Sequence, residues 1–141
     1  MRVQNKTMKK EESIHKAICD YLKLQYPNVY FTSESSGVRV PIGLAVKMKA
    51  QRSKHKQLDL IILEPKGIYH GLIMELKKDA NEILTKKGKY RVNDHVKEQL
   101  QSIELLRDKG YLSLFVCGFH ECKRTIDFYM KLKDNETFDI I

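Results

Sequence analysis

Apolar residues return at helical spacing from Glu11 to about Gln25, as Ile14, Ala17, Ile18, Tyr21 and Leu22. Pro27 follows and stops that helix. Val29 to Thr32 reads as a short strand, and Ser33 to Gly37 as a polar loop. Pro41 suits the first turn of a second helix through Ala45, Val46 and Met48. A basic loop over 51–57 leads to a strand from Leu58 to Leu63, and a further strand runs from Ile68 to Leu76. The turn signal Glu64-Pro65-Lys66-Gly67 between them predicts a hairpin, because Pro presets one dihedral and Gly permits another. Residues 78–92 are charged, contain Gly88 and read as a mobile loop. Asn93 can cap a helix from Asp94 to about Lys109 with the stripe Val96, Leu100, Ile103 and Leu106, ended by Gly110. Tyr111 to Cys117 is apolar enough for a central strand, and a last helix covers about His120 to Lys131.

Strands and helices are intermixed along the chain. The class is therefore α/β or α+β, with helices flanking a mixed four-stranded sheet. At 141 residues the chain suits one domain over 1–141, with 1–10 basic, polar and expected to fray. Apolar residues make up 42% and charged residues 31%, a balance that folds around a core. The formal net charge is +8, which favours polyanionic partners, nucleic acid first among them. Cys19, Cys117 and Cys122 lack zinc-site spacing; Cys19 and Cys117 read as core residues, and reduced thiols fit a cytoplasmic setting. No apolar run is long enough to span a membrane, and the N-terminus lacks the apolar stretch of a signal peptide.

Candidate chemistry sits on the hairpin. Along Gly71-Leu72-Ile73-Met74-Glu75-Leu76-Lys77, side chains alternate, so Glu75 and Lys77 share one face. A carboxylate in so apolar a strand is costly without a partner, which Lys77 or a metal ion would supply. Asp59 opens the other hairpin strand although Asp is depleted in strands, and closure at 64–67 brings it towards Glu75. Two adjacent carboxylates repel unless a cation lies between them, and Mg²⁺ or Mn²⁺ prefers such oxygen donors. A divalent ion there would polarise a phosphodiester oxygen and acidify a water, with Lys77 holding that water or neutralising the phosphate. An isolated E-x-K on a strand is usually a surface ion pair; the matching Asp and the basic chain are what set this one apart.

These residues also carry a resemblance. Leu58-Asp59-Leu60-Ile61-Ile62-Leu63, then Tyr69-His70-Gly71-Leu72 leading into Glu75-Leu76-Lys77, then Glu98-Gln99 one helix before Gly110-Tyr111, resemble the VRR-NUC branch of the PD-(D/E)XK nuclease superfamily, above all its small stand-alone phage and bacterial members. The resemblance runs from about Glu12 to Val116. It implies a restriction-endonuclease-like core and a Mg²⁺- or Mn²⁺-dependent DNA endonuclease. It also implies Asp59, Glu75 and the Leu76 carbonyl as metal ligands, Lys77 as the catalytic lysine, and Gln99 orienting water or phosphate. Glu12 resembles an additional acidic residue near the metal, with Glu11 adjacent to it. Leu58 stands where the family motif usually has Pro, a residue that shapes backbone and does no chemistry.

Gln99 has a plain alternative as a polar residue beside an apolar stripe, and His95, one turn earlier, reads as a solvated helix residue that could contact phosphate. Glu12 equally suits the first turn of a helix. Lys47, Lys49, Arg52, Lys54 and Lys56 lead into the Asp59 strand, and Lys78, Lys86, Lys87, Lys89 and Arg91 follow the Glu75 strand. Both groups would contact phosphates without reading sequence, so shape is the expected basis of recognition. Small relatives act as symmetric dimers on branched DNA, which makes a Holliday-junction-resolvase-like homodimer the family's implication. The competing readings are an inactive nucleic-acid-binding module on the same fold and a restriction-type endonuclease.

Overall fold

A computed structural model describes residues 2–34 and 41–139, with side chains described from residue 13 onward. The elements are α1 (Arg2–Gln25), β1 (Phe31–Ser33), α2 (Ile42–Ala50), β2 (Leu60–Ile62), β3 (Leu72–Lys77), α3 (Asp94–Asp108), β4 (Leu112–Cys117) and α4 (Gly118–Met130). A single 3-10 turn, Ala80–Glu82, lies between β3 and α3. The molecule is α/β, with a mixed sheet in the order β1-β2-β3-β4 flanked by helices. No helix among the described residues is long and apolar enough to cross a membrane.

Alternation along β3 divides the molecule into two layers. Leu72 and Met74 join Leu60, Ile62, Leu112 and Val116 on one face, where Ile18 and Leu22 of α1 and Ile126 and Tyr129 of α4 cover them. Ile73 points the other way and packs with Leu58 against Ile103 of α3. Asn93 caps α3 as its sequence implies, accepting from the Val96 N–H at 2.9 Å. At α4, the Glu121 carboxylate accepts from the Cys117 N–H, satisfying one orphan donor of the first turn.

Several expectations are corrected. α1 begins at Arg2, well before Glu11, since residues 2–10 hold no helix breaker. Among the described residues β4 is an edge strand, paired in parallel to β3; its apolar character comes from burial of both faces beneath α3 and α4. The hairpin reverses at Lys66–Tyr69, two residues later than the expected Glu64–Gly67 turn: the Lys66 N–H donates to the Tyr69 carbonyl (3.2 Å) and the Tyr69 N–H to the Lys66 carbonyl (2.9 Å). Gly67 supplies the positive φ of 56° that this turn needs. Residues 78–92 are folded on themselves, with a Leu84–Tyr90 bridge and Thr85 donating to the Lys89 carbonyl at 2.7 Å. Cys122 is the buried cysteine, while Cys19 and Cys117 are half-buried; all three are free thiols.

Candidate active site

The antiparallel register of β2 with β3 sets Leu60 opposite Met74 and Ile61 opposite Ile73. Continued one residue, it sets Asp59 against Glu75. Both carboxylates are buried, each 5% exposed. The Asp59 N–H donates to Glu75 Oε2 at 3.2 Å, and the Leu76 N–H donates to Asp59 Oδ2 at 2.9 Å. Lys77 is buried on the same face of β3 as Glu75.

The third element is α3. Val96, Gln99, Ser102 and Ile103 turn inward, so two polar residues occupy the buried face where Leu100 and Leu106 were expected to dominate. Gln99 is 1% exposed and donates its Nε2–H to Glu75 Oε1 at 2.6 Å. His95 Nε2 lies 3.0 Å from the same amide nitrogen and accepts from it, which places the His95 proton on Nδ1. Gln99 Oε1 is a buried acceptor with no partner among the described residues. Ser102 donates to the Lys56 carbonyl at 2.5 Å and ties the basic loop to α3.

Asp59, Glu75, Leu76, Lys77, His95 and Gln99 line one cavity of about 110 Å³, with room for a cation and a few waters. Burial pushes the Glu75 carboxyl up to about 9, and the neighbouring Asp59 charge adds to the rise, while Lys77 draws it back down. Burial also lowers His95, helped by the Lys77 charge. Without a cation the site therefore relieves the carboxylate pair by keeping a proton on Glu75 at neutral pH, a proton that a bound cation would displace. A hard divalent cation fits this donor set: two facing carboxylate oxygens and an orphaned amide oxygen around a small polar cavity. Among the described residues no third Asp, Glu, His or Cys joins them as a ligand.

No family model matches the sequence, and no curated protein does. A solved structure described as a VRR_NUC domain protein superposes with a TM-score of 0.65 at 26% identity, over 94% of this chain and 97% of that chain. The chain folds as a VRR-NUC domain.

The VRR-NUC fold brings Asp59, Glu75, Leu76, Lys77 and Gln99 to one cavity. Glu12 lies on α1 three residues before His15, and its side chain is outside the described residues, as is that of Glu11. Of the basic residues, Lys56 and Lys78 reach the cavity. Lys47, Lys49, Arg52, Lys54, Lys86, Lys87, Lys89 and Arg91 are exposed on the two flanking segments. The Ser35-Ser36-Gly37 part of the predicted polar loop falls outside the described residues.

Sequence reasoning missed four residues that also line the cavity: Ile14, His15, Glu34 and Gln57. His15 Nε2 lies 2.5 Å from Ser33 Oγ, which joins α1 to β1 beside the site. Glu34 donates its backbone N–H to the Asp59 carbonyl at 2.8 Å and accepts from Arg52 through its carboxylate. The helical stripe of α1 counted only apolar positions, so His15 carried no signal beyond its place one residue after Ile14.

Proposed function

We propose that this chain is a Mg²⁺- or Mn²⁺-dependent endonuclease that hydrolyses phosphodiester bonds in DNA, branched DNA included, in the manner of the PD-(D/E)XK superfamily. The observation that carries the reading is the convergence of Asp59, Glu75, Lys77 and Gln99, from three separate elements, on one small cavity flanked by basic segments. A VRR-NUC domain belongs to a nuclease family, and this constellation supplies what phosphodiester hydrolysis needs.

Asp59 and Glu75 would hold the ion with the Leu76 carbonyl, and the bound ion would supply charge neutralisation at the phosphate and a more acidic water. The remaining work falls to the chain's own groups. Lys77, whose positive charge acts on Glu75, would stabilise the charge that builds on the phosphate oxygens during in-line attack. Gln99 spends its Nε2–H on Glu75 and leaves Oε1 as an acceptor that orients a water proton. His95, neutral and hydrogen-bonded to the same amide, fixes which way that amide faces. The exposed lysines on either side attract the backbone without selecting sequence.

The test is cleavage of duplex, flap, single-stranded and four-way-junction DNA with Mg²⁺, with Mn²⁺ and with EDTA. Wild-type protein is expected to cut only with a divalent ion. Asp59→Ala, Glu75→Ala and Lys77→Ala are each expected to abolish cutting while DNA binding and circular dichroism persist. Normal rates in two of the three variants would end the reading. Binding without cutting in wild-type protein would establish an inactive binding module instead.

A further inference from the structure

The segment between Glu34 and Asp59 contains α2, and α2 is unusual in having no buried residue at all. Its large apolar side chains face outward. Ile42 is 85% exposed and Val46 63% exposed, and they sit four residues apart on one helix face. Leu44 and Met48 make a second exposed pair at the same spacing. An isolated helix this short is marginal in water, and an apolar surface of this kind normally marks a contact.

Two observations indicate what makes that contact. First, charge: the sequence from residue 35 to 58 has no Asp or Glu, while Lys47, Lys49, Arg52, Lys54 and Lys56 all fall within it. Face-to-face packing of two copies would bring these cations together, whereas a polyanion neutralises them. Second, position: Arg52, two residues beyond α2, pairs with Glu34 and donates to Gln57 Oε1 at 3.1 Å. Glu34 and Gln57 both line the catalytic cavity. Glu34 and Gln57, on either side of α2 in the chain, are therefore tied together at the rim of the site through Arg52. A groove of about 650 Å³ continues from Lys49 past Lys54 to Gln101 on α3. Aliphatic side chains among cations are the combination that proteins insert at unstacked or kinked base steps.

We infer that α2 is an apolar wedge that packs Ile42 and Val46 against bases exposed at a discontinuity in DNA, while Lys47 and Lys49 take the flanking phosphates. The wedge makes the domain prefer branched or distorted DNA over continuous duplex. This rests on the reading of the chain as a DNA nuclease, and it assigns recognition of DNA structure to a segment outside the catalytic residues.

The test uses full-length protein in EDTA, so that binding is read without cleavage. The probes are a four-way junction and a linear duplex of the same sequence, each with 2-aminopurine at the branch position. Wild-type protein is expected to bind the junction at least tenfold tighter than the duplex and to raise 2-aminopurine fluorescence at the branch. The double variant Ile42→Ser, Val46→Ser changes only exposed side chains and is expected to keep its melting temperature. It should lose the fluorescence rise and the tenfold ratio, with duplex affinity held within about twofold. Lys47→Ala, Lys49→Ala should weaken junction and duplex alike and reduce the salt dependence by about two phosphate contacts. A wild-type ratio near one, or a serine variant that keeps both ratio and fluorescence, overturns the inference. So does a serine variant that loses both affinities together and changes from dimer to monomer in sedimentation, which would make α2 an interface between copies. Absence of cutting with Mg²⁺, with the tenfold ratio intact, would remove the nuclease reading and leave the wedge standing.

Discussion

Glu75→Gln is expected to disable the enzyme and, in the absence of metal, to make the protein more stable at alkaline pH. Glu75 is buried and faces Asp59, and its carboxyl is held near 9 in the folded chain against an ordinary 4.5. Between those values the folded state binds a proton that the unfolded state releases. Stability from this group is therefore complete below about pH 4.5 and is lost as pH rises towards 9. At about 1.36 kcal/mol per pH step, the loss by pH 8 is of the order of 5 kcal/mol. For a domain of this size that corresponds to roughly 15 °C in melting temperature. Glutamine mimics the protonated carboxyl and does not titrate. Melting curves of metal-free protein should nearly coincide at pH 5 and separate by pH 8, with the variant higher. Adding Mg²⁺ or Mn²⁺ at about one hundred times its Kd at pH 8 should return about 2.7 kcal/mol to wild-type protein and much less to Glu75→Gln. A difference between the two proteins that stays constant from pH 5 to 8, or equal metal-induced shifts in both, would refute the picture of two carboxylates awaiting a cation.

Gln99→Leu should lower cleavage at least tenfold and cost about 1–3 kcal/mol, because Glu75 Oε1 loses its buried donor; kinetics and urea melts read the two effects separately. Wild-type rates in that variant would make Gln99 purely structural. Gly110→Ala should cost about 2–3 kcal/mol, since Gly110 has φ of 95° and an added Cβ would sit 2.6 Å from His70 Cδ2. A melting temperature within 2 °C of wild type would show that His70 swings aside. The triple change Lys86→Ala, Lys87→Ala, Lys89→Ala should flatten the dependence of log affinity on log salt by about 2–3 if all three meet phosphate, measured by anisotropy across a salt series. His15→Ala should reduce turnover about tenfold with DNA affinity within twofold, because the ring lines the cavity and anchors β1 through Ser33.

The hairpin and the side on which its charged residues fall were legible because period-two alternation is a local code. Once Leu72 and Met74 face one way, Glu75 and Lys77 must follow Ile73 the other way. Asp59 could be matched to Glu75 from spacing alone, even with the turn placed slightly early. The edge position of β4 was not legible, since a strand buried on both faces looks apolar whether or not it has a second neighbour. Gln99 and Ser102 were hidden for a related reason. An apolar stripe identifies the inward face of a helix only where that face meets a core, and here Gln99 meets a polar cavity and Ser102 the Lys56 carbonyl. His15 belongs to the same class. Its importance arises from the packing of α1 across the sheet end, a long-range fact that no helical period encodes. The exposure of α2 was equally invisible, because an apolar helix reads as a buried one until its neighbours are known.

The segment after α4 closes around the reverse turn between β2 and β3. The Ile68 N–H donates to the Glu136 carbonyl at 3.1 Å, and the Phe138 N–H donates to the Tyr69 hydroxyl at 3.0 Å. Glu136 also sits where any side chain on Gly67 would have to go. A slip of one residue between β2 and β3 would turn Asp59 to the opposite side of the sheet. Residues 136–138 thus act as a latch on strand alignment, and the geometry of the carboxylate pair is secured from the far end of the hairpin.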